Sequence, residues 1–186
     1  MAASGQPGPD RDSMTALPRL SLILGGARSG KSRLAEAMVT AMPGPWHYVA
    51  TGQGLDDEMA ARISRHRADR AQGWITTEEP LALAETLGRI ATGPAPVLVD
   101  CLTLWLSNTM LDGRPPEAEA DGLQRVLAEL QAPVVLVANE VGLGIVPDNA
   151  LARAFRDAAG RLNQRIAAVA DRVVFVAAGL PLVLKG

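Results

Sequence analysis

The sequence has few of the features that mark secreted, membrane-spanning and nucleic-acid-binding proteins. Its single cysteine, Cys101, excludes an internal disulfide. No run approaches the ~20 consecutive apolar residues that a bilayer-crossing helix needs, so we expect no membrane insertion. The net charge of -2 provides no broad positive field to hold nucleic acid. These absences favour a cytoplasmic protein that acts on small molecules.

Length and composition bound the domain organisation. The 186 residues are 48% apolar, which suits one domain with a full-sized core. Residues 1–19 are rich in Gly, Pro, Ser and Asp and lack the apolar core of a signal peptide, so we expect a disordered leader there. Residues 20–186 are then expected to form the single folded domain.

From residue 20 onward, short β-type runs alternate with longer stretches of helical period. This alternation predicts an α/β fold with a mostly parallel sheet flanked by helices. Runs such as 134–137, which are apolar throughout, are typical of strands buried on both faces. The predicted strands are 20–24, 47–50, 97–99, 134–138 and 173–176, with weaker edge strands at 75–77 and 182–184. The predicted helices are 31–42, 56–70, 81–90, 117–130 and 149–170, and 113–116 is predicted to be an exposed connection.

A glycine-rich run between the first predicted strand and helix matches the phosphate-loop pattern G-x-x-x-x-G-K-[ST]. The run is Gly25-Gly26-Ala27-Arg28-Ser29-Gly30-Lys31-Ser32. Its glycines let backbone N–H groups turn toward phosphate oxygens, and the N-terminus of the following helix favours negative charge. Lys31 is expected to reach the β- and γ-phosphates, and the Ser32 hydroxyl to ligate Mg²⁺. The alternative is a strand-to-helix turn without a ligand. We therefore predict a P-loop NTPase-type fold, with 20–186 as its nucleotide-binding catalytic domain.

Ligands of such sheets bind at the carboxyl ends of the strands, which directs attention to the residues after each strand. Asp100 follows strand 97–99, where P-loop enzymes commonly place a second acidic group for Mg²⁺. The alternative role of Asp100 is to cap the turn into the next helix. Ala50-Thr51-Gly52 ends the second strand in the same layer. These three residues are expected to bring a hydroxyl and flexible backbone near the nucleotide.

The segment 56–70 begins with acidic residues and ends with basic ones, an arrangement that complements a helix dipole. Helical spacing places His66 on one stripe with Met59 and Ile63. That position suits a packed core histidine as well as a reactive one. Nearby guanidinium groups lower the proton affinity of an imidazole and neutralise a polyphosphate, which would leave a nitrogen able to attack phosphorus. The alternative for these arginines is a solvated basic face; they are Arg62, Arg65, Arg67 and Arg70.

Taken together, these motifs resemble the bifunctional adenosylcobinamide kinase/adenosylcobinamide-phosphate guanylyltransferase family of cobalamin biosynthesis. Besides the phosphate loop and His66, the resemblance rests on 48–52, 56–63, 139–147 and 161–165, and it extends from residue 20 to the end. In that family ATP or GTP phosphorylates the aminopropanol hydroxyl of adenosylcobinamide. GTP then donates GMP to the new phosphate through a covalent guanylyl-histidine. The resemblance implies that His66 is that histidine, and adenosylcobinamide and its phosphate are the implied partners.

The resemblance also implies a set of nucleotide contacts and an oligomeric state. Lys31 and His66 are the predicted catalytic residues, and Ser32 and Asp100 the predicted Mg²⁺ ligands. Glu78 is an implied nucleotide contact, although a shift of one residue to Glu79 is open. Family members form trimers, so a homo-oligomer is implied. The full set of implied nucleotide contacts is Gly25, Gly26, Ala27, Arg28, Ser29, Gly30, Lys31, Ser32, Ala50, Thr51, Gly52, Arg67, Ala68, Asp69, Arg70, Glu78 and Asp100.

Several other residues have alternative interpretations. Asn139 and Glu140 follow an apolar strand and precede tight turns, as expected of a loop at the active edge. They would position substrate or a Mg²⁺-bound water, or Glu140 would pair with Arg153 or Arg156. His47 falls in a predicted strand and is expected to be structural. The three tryptophans suit either core packing or a surface for the corrin; they are Trp46, Trp74 and Trp105.

Two functions of other classes compete with this interpretation. A plain small-molecule kinase would use the phosphate loop without a nucleophilic side chain. A nucleotide-operated switch would hydrolyse GTP slowly and present a changed surface to a macromolecule. The sequence lacks an Asn-Lys-x-Asp element to recognise guanine, which argues against the switch.

Overall fold

The computed structural model describes residues 17–53 and 73–186. In this part of the chain a seven-stranded sheet has the order β3-β2-β4-β5-β1-β6-β7. All neighbouring strands are parallel except β6 and β7. The predicted mostly parallel sheet is therefore confirmed, and the two weakly predicted strands are its edges. The strands are β1 Leu20–Gly25, β2 Trp46–Ala50, β3 Trp74–Glu78, β4 Val97–Asp100, β5 Val134–Asn139, β6 Arg172–Ala177 and β7 Leu180–Lys185.

Helices cover both faces of the sheet, because the central strands are apolar on both sides. Alternate residues of β1 point to opposite faces, so that Leu22 and Leu24 join one apolar cluster and Ile23 joins another. The larger cluster also contains Trp105 and Leu162. The helices in the described part are α1 Lys31–Thr40, α2 Leu83–Ile90, α3 Leu102–Leu111, α4 Pro116–Glu129 and α5 Ala150–Val169.

Helix α3 was not predicted from the sequence, and its composition explains why. It is apolar around most of its circumference, so it lacks the one-sided periodicity of a surface helix. Its N-cap, Cys101, makes no side-chain capping bond. The predicted helix at 81–90 begins instead at Leu83, because the Glu79 carboxylate binds the N–H groups of Leu81 and Ala82.

Three other predictions concern the helix at 56–70, the leader and the connection at 113–116. The predicted helix at 56–70 and residues 1–16 of the predicted leader lie outside the described residues. Residues 17–19, also assigned to the leader, contact the fold: the Arg19 guanidinium donates to Leu127 O at 2.8 Å, and Arg19 O accepts from Val134 N at 2.8 Å. The predicted exposed connection at 113–116 is shorter in the structure, because Pro116 begins α4; Gly113 and Pro115 are exposed, and Arg114 is partly buried.

Helix length and apolarity bear on the prediction of no membrane insertion. Within residues 17–53 and 73–186, no helix is both long enough and apolar enough to cross a bilayer.

Candidate active site

The predicted site residues in the described ranges lie along the side of the sheet formed by the carboxyl ends of its parallel strands, because these ends all point the same way. We call this side the active edge. Gly25, at the end of β1, is in register with Asn139 at the end of β5. Ala50, at the end of β2, is in register with both Asp100 of β4 and Glu78 of β3. Since β4 also pairs with β5, these strand ends form one continuous row. This edge is therefore the candidate active site.

The phosphate loop curls at the start of this row. Arg28 and Gly30 have positive φ angles of 55° and 96°, which turn the chain between β1 and α1. The Ser29 N–H donates to Gly26 O at 3.3 Å. Lys31 begins α1, is 7% exposed, and its Nζ donates to Gly26 O at 3.2 Å among its interactions. The ammonium group thus lies against the loop that is expected to hold phosphate.

The turn between β6 and β7 contacts the phosphate loop. The Gly179 N–H donates to Ser29 O at 2.9 Å. A Cβ added at Gly30 would lie 3.3 Å from the Gly179 Cα. At Gly25 an added Cβ would lie 2.6 Å from both Val176 O and Ser29 Oγ. Glycine at position 25 is therefore required by the close approach of neighbouring backbone and side chain.

Asp100 is half-buried at the end of β4, and its carboxylate is oriented by Tyr48. The Tyr48 hydroxyl donates to Asp100 Oδ2 at 2.9 Å. The neighbouring thiol of Cys101 reports the local charges. Burial, and after it the Asp100 carboxylate, raises the pKa of Cys101 to about 11 against the opposing effect of the Lys31 ammonium. Asp100 and Lys31 thus both act electrostatically at the same point of the edge.

Thr51 differs from its predicted role. Its side chain is fully buried, and its hydroxyl donates to Cys101 O at 2.7 Å and accepts from Cys101 N at 2.9 Å. The Thr51 hydroxyl therefore binds the turn after β4, and the contact of Thr51 with a nucleotide stays a prediction. The backbone of Ala50 and Gly52 remains at the edge.

The two neighbouring glutamates have different environments. Glu79 Oε1 accepts from Leu81 N at 3.0 Å and from Ala82 N at 2.7 Å, so this carboxylate stabilises the turn that leads into α2. Glu78 is exposed at the end of β3, beside Ala50. Glu78 thus lies exposed at the strand ends while the Glu79 carboxylate binds backbone N–H groups, and the contact of Glu78 with a nucleotide stays a prediction.

Helix α3 supplies positioning contacts that the sequence interpretation missed. The Thr103 hydroxyl accepts from Asn139 N at 2.7 Å. Asn108 Nδ2 donates to Thr51 O at 2.8 Å and to Pro80 O at 3.2 Å. This helix therefore binds the loops after β5, β2 and β3. The signal that could have revealed them is the presence of threonine and asparagine within an otherwise apolar helix.

The loop after β5 uses its own carboxylate. Glu140 Oε1 accepts from Gly142 N at 2.5 Å. The Arg153 guanidinium instead binds Pro147 O and Asp148 O. The Arg156 guanidinium binds Asp157. The alternative in which Glu140 pairs with either arginine is therefore wrong in the described structure.

The tryptophans and His47 have packing roles in the described structure. Trp105 is buried, and its indole N–H donates to Leu81 O at 2.9 Å, so it offers no surface to a corrin. The rings of Trp46 and Trp74 pack with their centroids 5.6 Å apart. His47 lies within β2 with its Nδ1 atom buried, as expected of a structural residue.

The predicted nucleophile and its basic neighbours are not among these residues. His66, Arg67, Ala68, Asp69 and Arg70 lie outside the described residues, so their placement relative to the phosphate loop stays a prediction.

Comparison with known proteins identifies the family. The sequence profile described as "Cobinamide kinase / cobinamide phosphate guanyltransferase" matches residues 21–184. The chain belongs to this family. The resemblance and the enzyme class expected from the sequence are thereby confirmed, and cobinamide kinase/guanyltransferase activity in adenosylcobalamin biosynthesis is the function that this family shares.

Two relatives match this chain over nearly the whole of their own length. The bifunctional adenosylcobalamin biosynthesis protein CobP of Pseudomonas aeruginosa is 51% identical over 167 residues, which are 89% of this chain and 96% of the relative. The bifunctional adenosylcobalamin biosynthesis protein CobU of Salmonella typhimurium is 45% identical over 179 residues, 88% of this chain and 98% of the relative.

Solved structures that resemble the chain confirm its fold. A type III secretion system ATPase from pathogenic bacteria aligns with a TM-score of 0.56 at 13% identity, covering 92% of this chain and 60% of the ATPase chain. A structure of PH0250 from Pyrococcus horikoshii aligns with a TM-score of 0.55 at 10% identity, covering 94% and 89% respectively. These similarities support the predicted P-loop NTPase-type architecture.

Proposed function

We propose that this family member phosphorylates the aminopropanol hydroxyl of adenosylcobinamide with ATP or GTP, and then transfers GMP from GTP to the resulting phosphate. The products are adenosylcobinamide-GDP and pyrophosphate. The observation that carries the proposal is the phosphate loop, with Lys31 against it, at the same sheet edge as Asp100 and Glu78. Both reactions require such a phosphate cradle.

In the kinase step, the substrate hydroxyl oxygen attacks the γ-phosphorus and releases its proton to water. The bond from that phosphorus to the β–γ bridging oxygen breaks, and the nucleoside diphosphate leaves with the electron pair. The loop N–H groups and the Lys31 ammonium stabilise the charge that develops on the phosphates. Residues 20–186 are proposed to supply this machinery as one catalytic domain.

In the guanylyl transfer, a neutral imidazole nitrogen of His66 attacks the α-phosphorus of GTP. A P–N bond forms, the α–β phosphoanhydride bond breaks, and pyrophosphate leaves with the electron pair. A phosphate oxygen of adenosylcobinamide phosphate then attacks the same phosphorus and displaces the imidazole. The arginines among 67–70 would offset the phosphate charge during both displacements.

The chemistry of the donor groups fits Mg²⁺. Ser32 and Asp100 offer a hydroxyl and a carboxylate oxygen, the hard ligands that Mg²⁺ prefers. In 17–53 and 73–186, no group of three or more His, Cys, Asp or Glu side chains could hold a metal, which suits an ion that completes its shell with nucleotide phosphates and water. When bound, Mg²⁺ supplies charge stabilisation for the phosphates.

The remaining proposals concern the state of the enzyme in the cell. We place it in the cytoplasm as a homo-oligomer, with the trimer of the family resemblance as the specific expectation. Light scattering coupled to size-exclusion chromatography tests the trimer, and a monomer mass would contradict it.

The decisive experiment uses the protein with Mg²⁺ and GTP labelled at the α-phosphate. We expect an acid-labile, alkali-stable adduct that maps to His66 and disappears in His66→Ala. The matched control is His47→Gln, because the chain has two histidines and His47 lies within β2. A persistent label in His66→Ala would overturn the assignment. Phosphorylation without any label would favour the plain kinase, and GTP hydrolysis without either transfer would favour the switch.

A second comparison tests the shared phosphate cradle. The chain has two lysines, Lys31 and Lys185. Lys185 Nζ binds the carbonyls of Ala167 and Ala168, near the end of α5. We expect Lys31→Met to lower both activities by at least about a hundredfold, since it removes a charge that stabilises both transition states. Lys185→Met should leave both activities near their original values.

A further inference from the structure

We propose that Asn108 of α3 is a positioning residue for the nucleotide site. Its amide is inferred to hold the loops after β2 and β3 in the arrangement that presents Ala50–Gly52 and Glu78 to the nucleotide. This inference rests on the proposed function. No ligand contact is assigned to Asn108 itself.

We call the two bonds from Asn108 Nδ2 to Thr51 O and Pro80 O the clamp. It lies where the loops after β2 and β3 leave the sheet. Strands β2 and β3 pair up to Ala50 and Glu78, and the last bond that joins them runs from Glu79 N to Ala50 O at 2.9 Å. Beyond this bond the loops are no longer paired by the strand ladder. Asn108 Nδ2 then connects Thr51 O at 2.8 Å to Pro80 O at 3.2 Å. One side-chain nitrogen therefore continues the connection between the loops.

The chemistry of a primary amide fits this position. The amide nitrogen carries two hydrogens, and the two loop carbonyls accept both of them. The opposite orientation would place the amide oxygen against two carbonyl oxygens, so the hydrogen-bond partners fix which way the group points. An aspartate at position 108 would keep the shape of the side chain but present acceptors to acceptors.

The helix that carries Asn108 is itself anchored in the core. Trp105, one turn earlier, is 1% exposed and donates to Leu81 O at 2.9 Å, in the same loop as Pro80. Leu102 and Leu106 of α3 are also buried in the large apolar cluster. The position of the Asn108 amide is therefore set by packing, and the loops are held relative to a fixed support.

The adjacent residue offers a matched control. Thr109 is fully buried, and its hydroxyl donates to Leu106 O at 2.9 Å within the same helix. Thr109→Val removes a buried hydrogen bond at nearly the same place while leaving both site loops untouched. A role of Asn108 in stability alone would make Asn108→Asp and Thr109→Val behave alike.

The experiment measures binding of a fluorescent GTP analogue with Mg²⁺, steady-state kinase kinetics and amide hydrogen exchange in the full-length protein. We expect Asn108→Asp to raise the Kd and the KM for GTP about tenfold, the size of effect that a lost hydrogen bond produces, with kcat changed less than about threefold. Exchange should accelerate in segments 51–53 and 79–82. Asn108→Gln, which retains both donors, should recover part of the affinity.

The outcomes separate this inference from the proposed function. Unchanged Kd and unchanged exchange in Asn108→Asp would overturn the clamp, as would an equal loss of affinity in Thr109→Val. If Asn108→Asp does not fold, Asn108→Ser is measured by the same criteria, since it shortens the side chain without adding charge. Failure of the unaltered protein to bind the GTP analogue would overturn the proposed function. Hydrogen exchange would still decide whether Asn108 holds the loops.

Discussion

The two halves of the active edge are held in different ways. On the β1 and β6 side, the phosphate loop rests on backbone contacts, from Gly179 N to Ser29 O and at the close approach of Gly25 to Val176 O. On the β2 and β4 side, side chains add to the backbone bond from Thr51 N to Asp100 O: the Thr51 hydroxyl binds both backbone polar groups of Cys101.

This difference determines what a substitution does. A backbone contact is broken by adding atoms, because there is no room for them. A side-chain bond is broken by removing a polar group, which leaves buried partners unsatisfied. The four predictions below use both kinds of change, and the urea-unfolding free energy is their common measurement.

The largest effect is expected where backbone meets backbone. Gly25→Ala would place a Cβ 2.6 Å from Val176 O, and that carbonyl belongs to a strand that cannot shift without disturbing its pairing with β1. We expect a loss of at least about 2–3 kcal/mol in unfolding free energy, together with loss of GTP binding.

The control for this change is Gly26→Ala, since a Cβ added there meets nothing within 4 Å. Its unfolding free energy should stay within about 0.5 kcal/mol of the original. Equal stability of the Gly25 and Gly26 variants would show that the backbone contact does not constrain the loop.

The next effect is expected at Thr51, on the half held by side chains. Thr51→Val keeps the shape of the side chain but leaves the N–H and carbonyl of Cys101 without the Thr51 hydroxyl. Cys101 O still accepts from Trp105 N, so the main loss is the partner of Cys101 N, and the unfolding free energy should fall by about 1–3 kcal/mol. Thr51→Ser keeps the hydroxyl and should recover most of the loss. A valine variant as stable as the serine variant would argue against the hydroxyl's role.

A smaller effect separates the two glutamates. Glu79→Ala removes the carboxylate that accepts from Leu81 N and Ala82 N, and should cost about 1–2 kcal/mol of unfolding free energy. Glu78→Ala should weaken GTP binding. The reverse pattern, with Glu79→Ala weakening GTP binding at unchanged stability, would assign the nucleotide contact to Glu79.

The smallest effect concerns the turn that Thr51 binds. Because the pKa of Cys101 is raised to about 11, mainly by burial, the folded protein favours the neutral thiol. The resulting stabilisation is complete below the pKa of an unfolded cysteine. It is lost as the pH rises from about 9 toward 11, with a slope of at most about 1.4 kcal/mol per pH unit.

The measurement of this effect compares the original protein with Cys101→Ala at pH 8, 9 and 10. The difference in stability between them should shrink as the pH rises. A constant difference across this range would mean that the thiol does not titrate as burial requires.

The two halves also differ in how far the sequence revealed them. The central strands could be predicted, because apolar runs such as Val134–Asn139 are buried on both faces. The edge strands β3 and β7 are largely exposed, so the sequence predicted them only weakly. The phosphate loop could be predicted because close backbone contacts demand glycine, which leaves a visible pattern. Asp100 could be placed because it directly follows a strand.

The contacts made by Asn108 and Glu79 could not be predicted in the same way. Asn108 binds carbonyl groups, which every residue possesses, so the identities of Thr51 and Pro80 carry no trace of the contact. Helix α3 lacks the polar face that would have shown its period. The contacts of Glu79 depended on where α2 begins, a boundary that periodicity alone fixes only to within a few residues.

The bond from Gly179 to Ser29 has a consequence for synthesis on the ribosome. Ser29 and Gly179 lie far apart in the sequence. The phosphate loop is therefore translated long before the β6–β7 hairpin whose turn contains Gly179. A nascent polypeptide therefore contains the phosphate loop before the β6–β7 hairpin that contacts it has been synthesised. We therefore expect tight binding of a nucleoside triphosphate only after the β6–β7 hairpin has been synthesised and has folded against the phosphate loop.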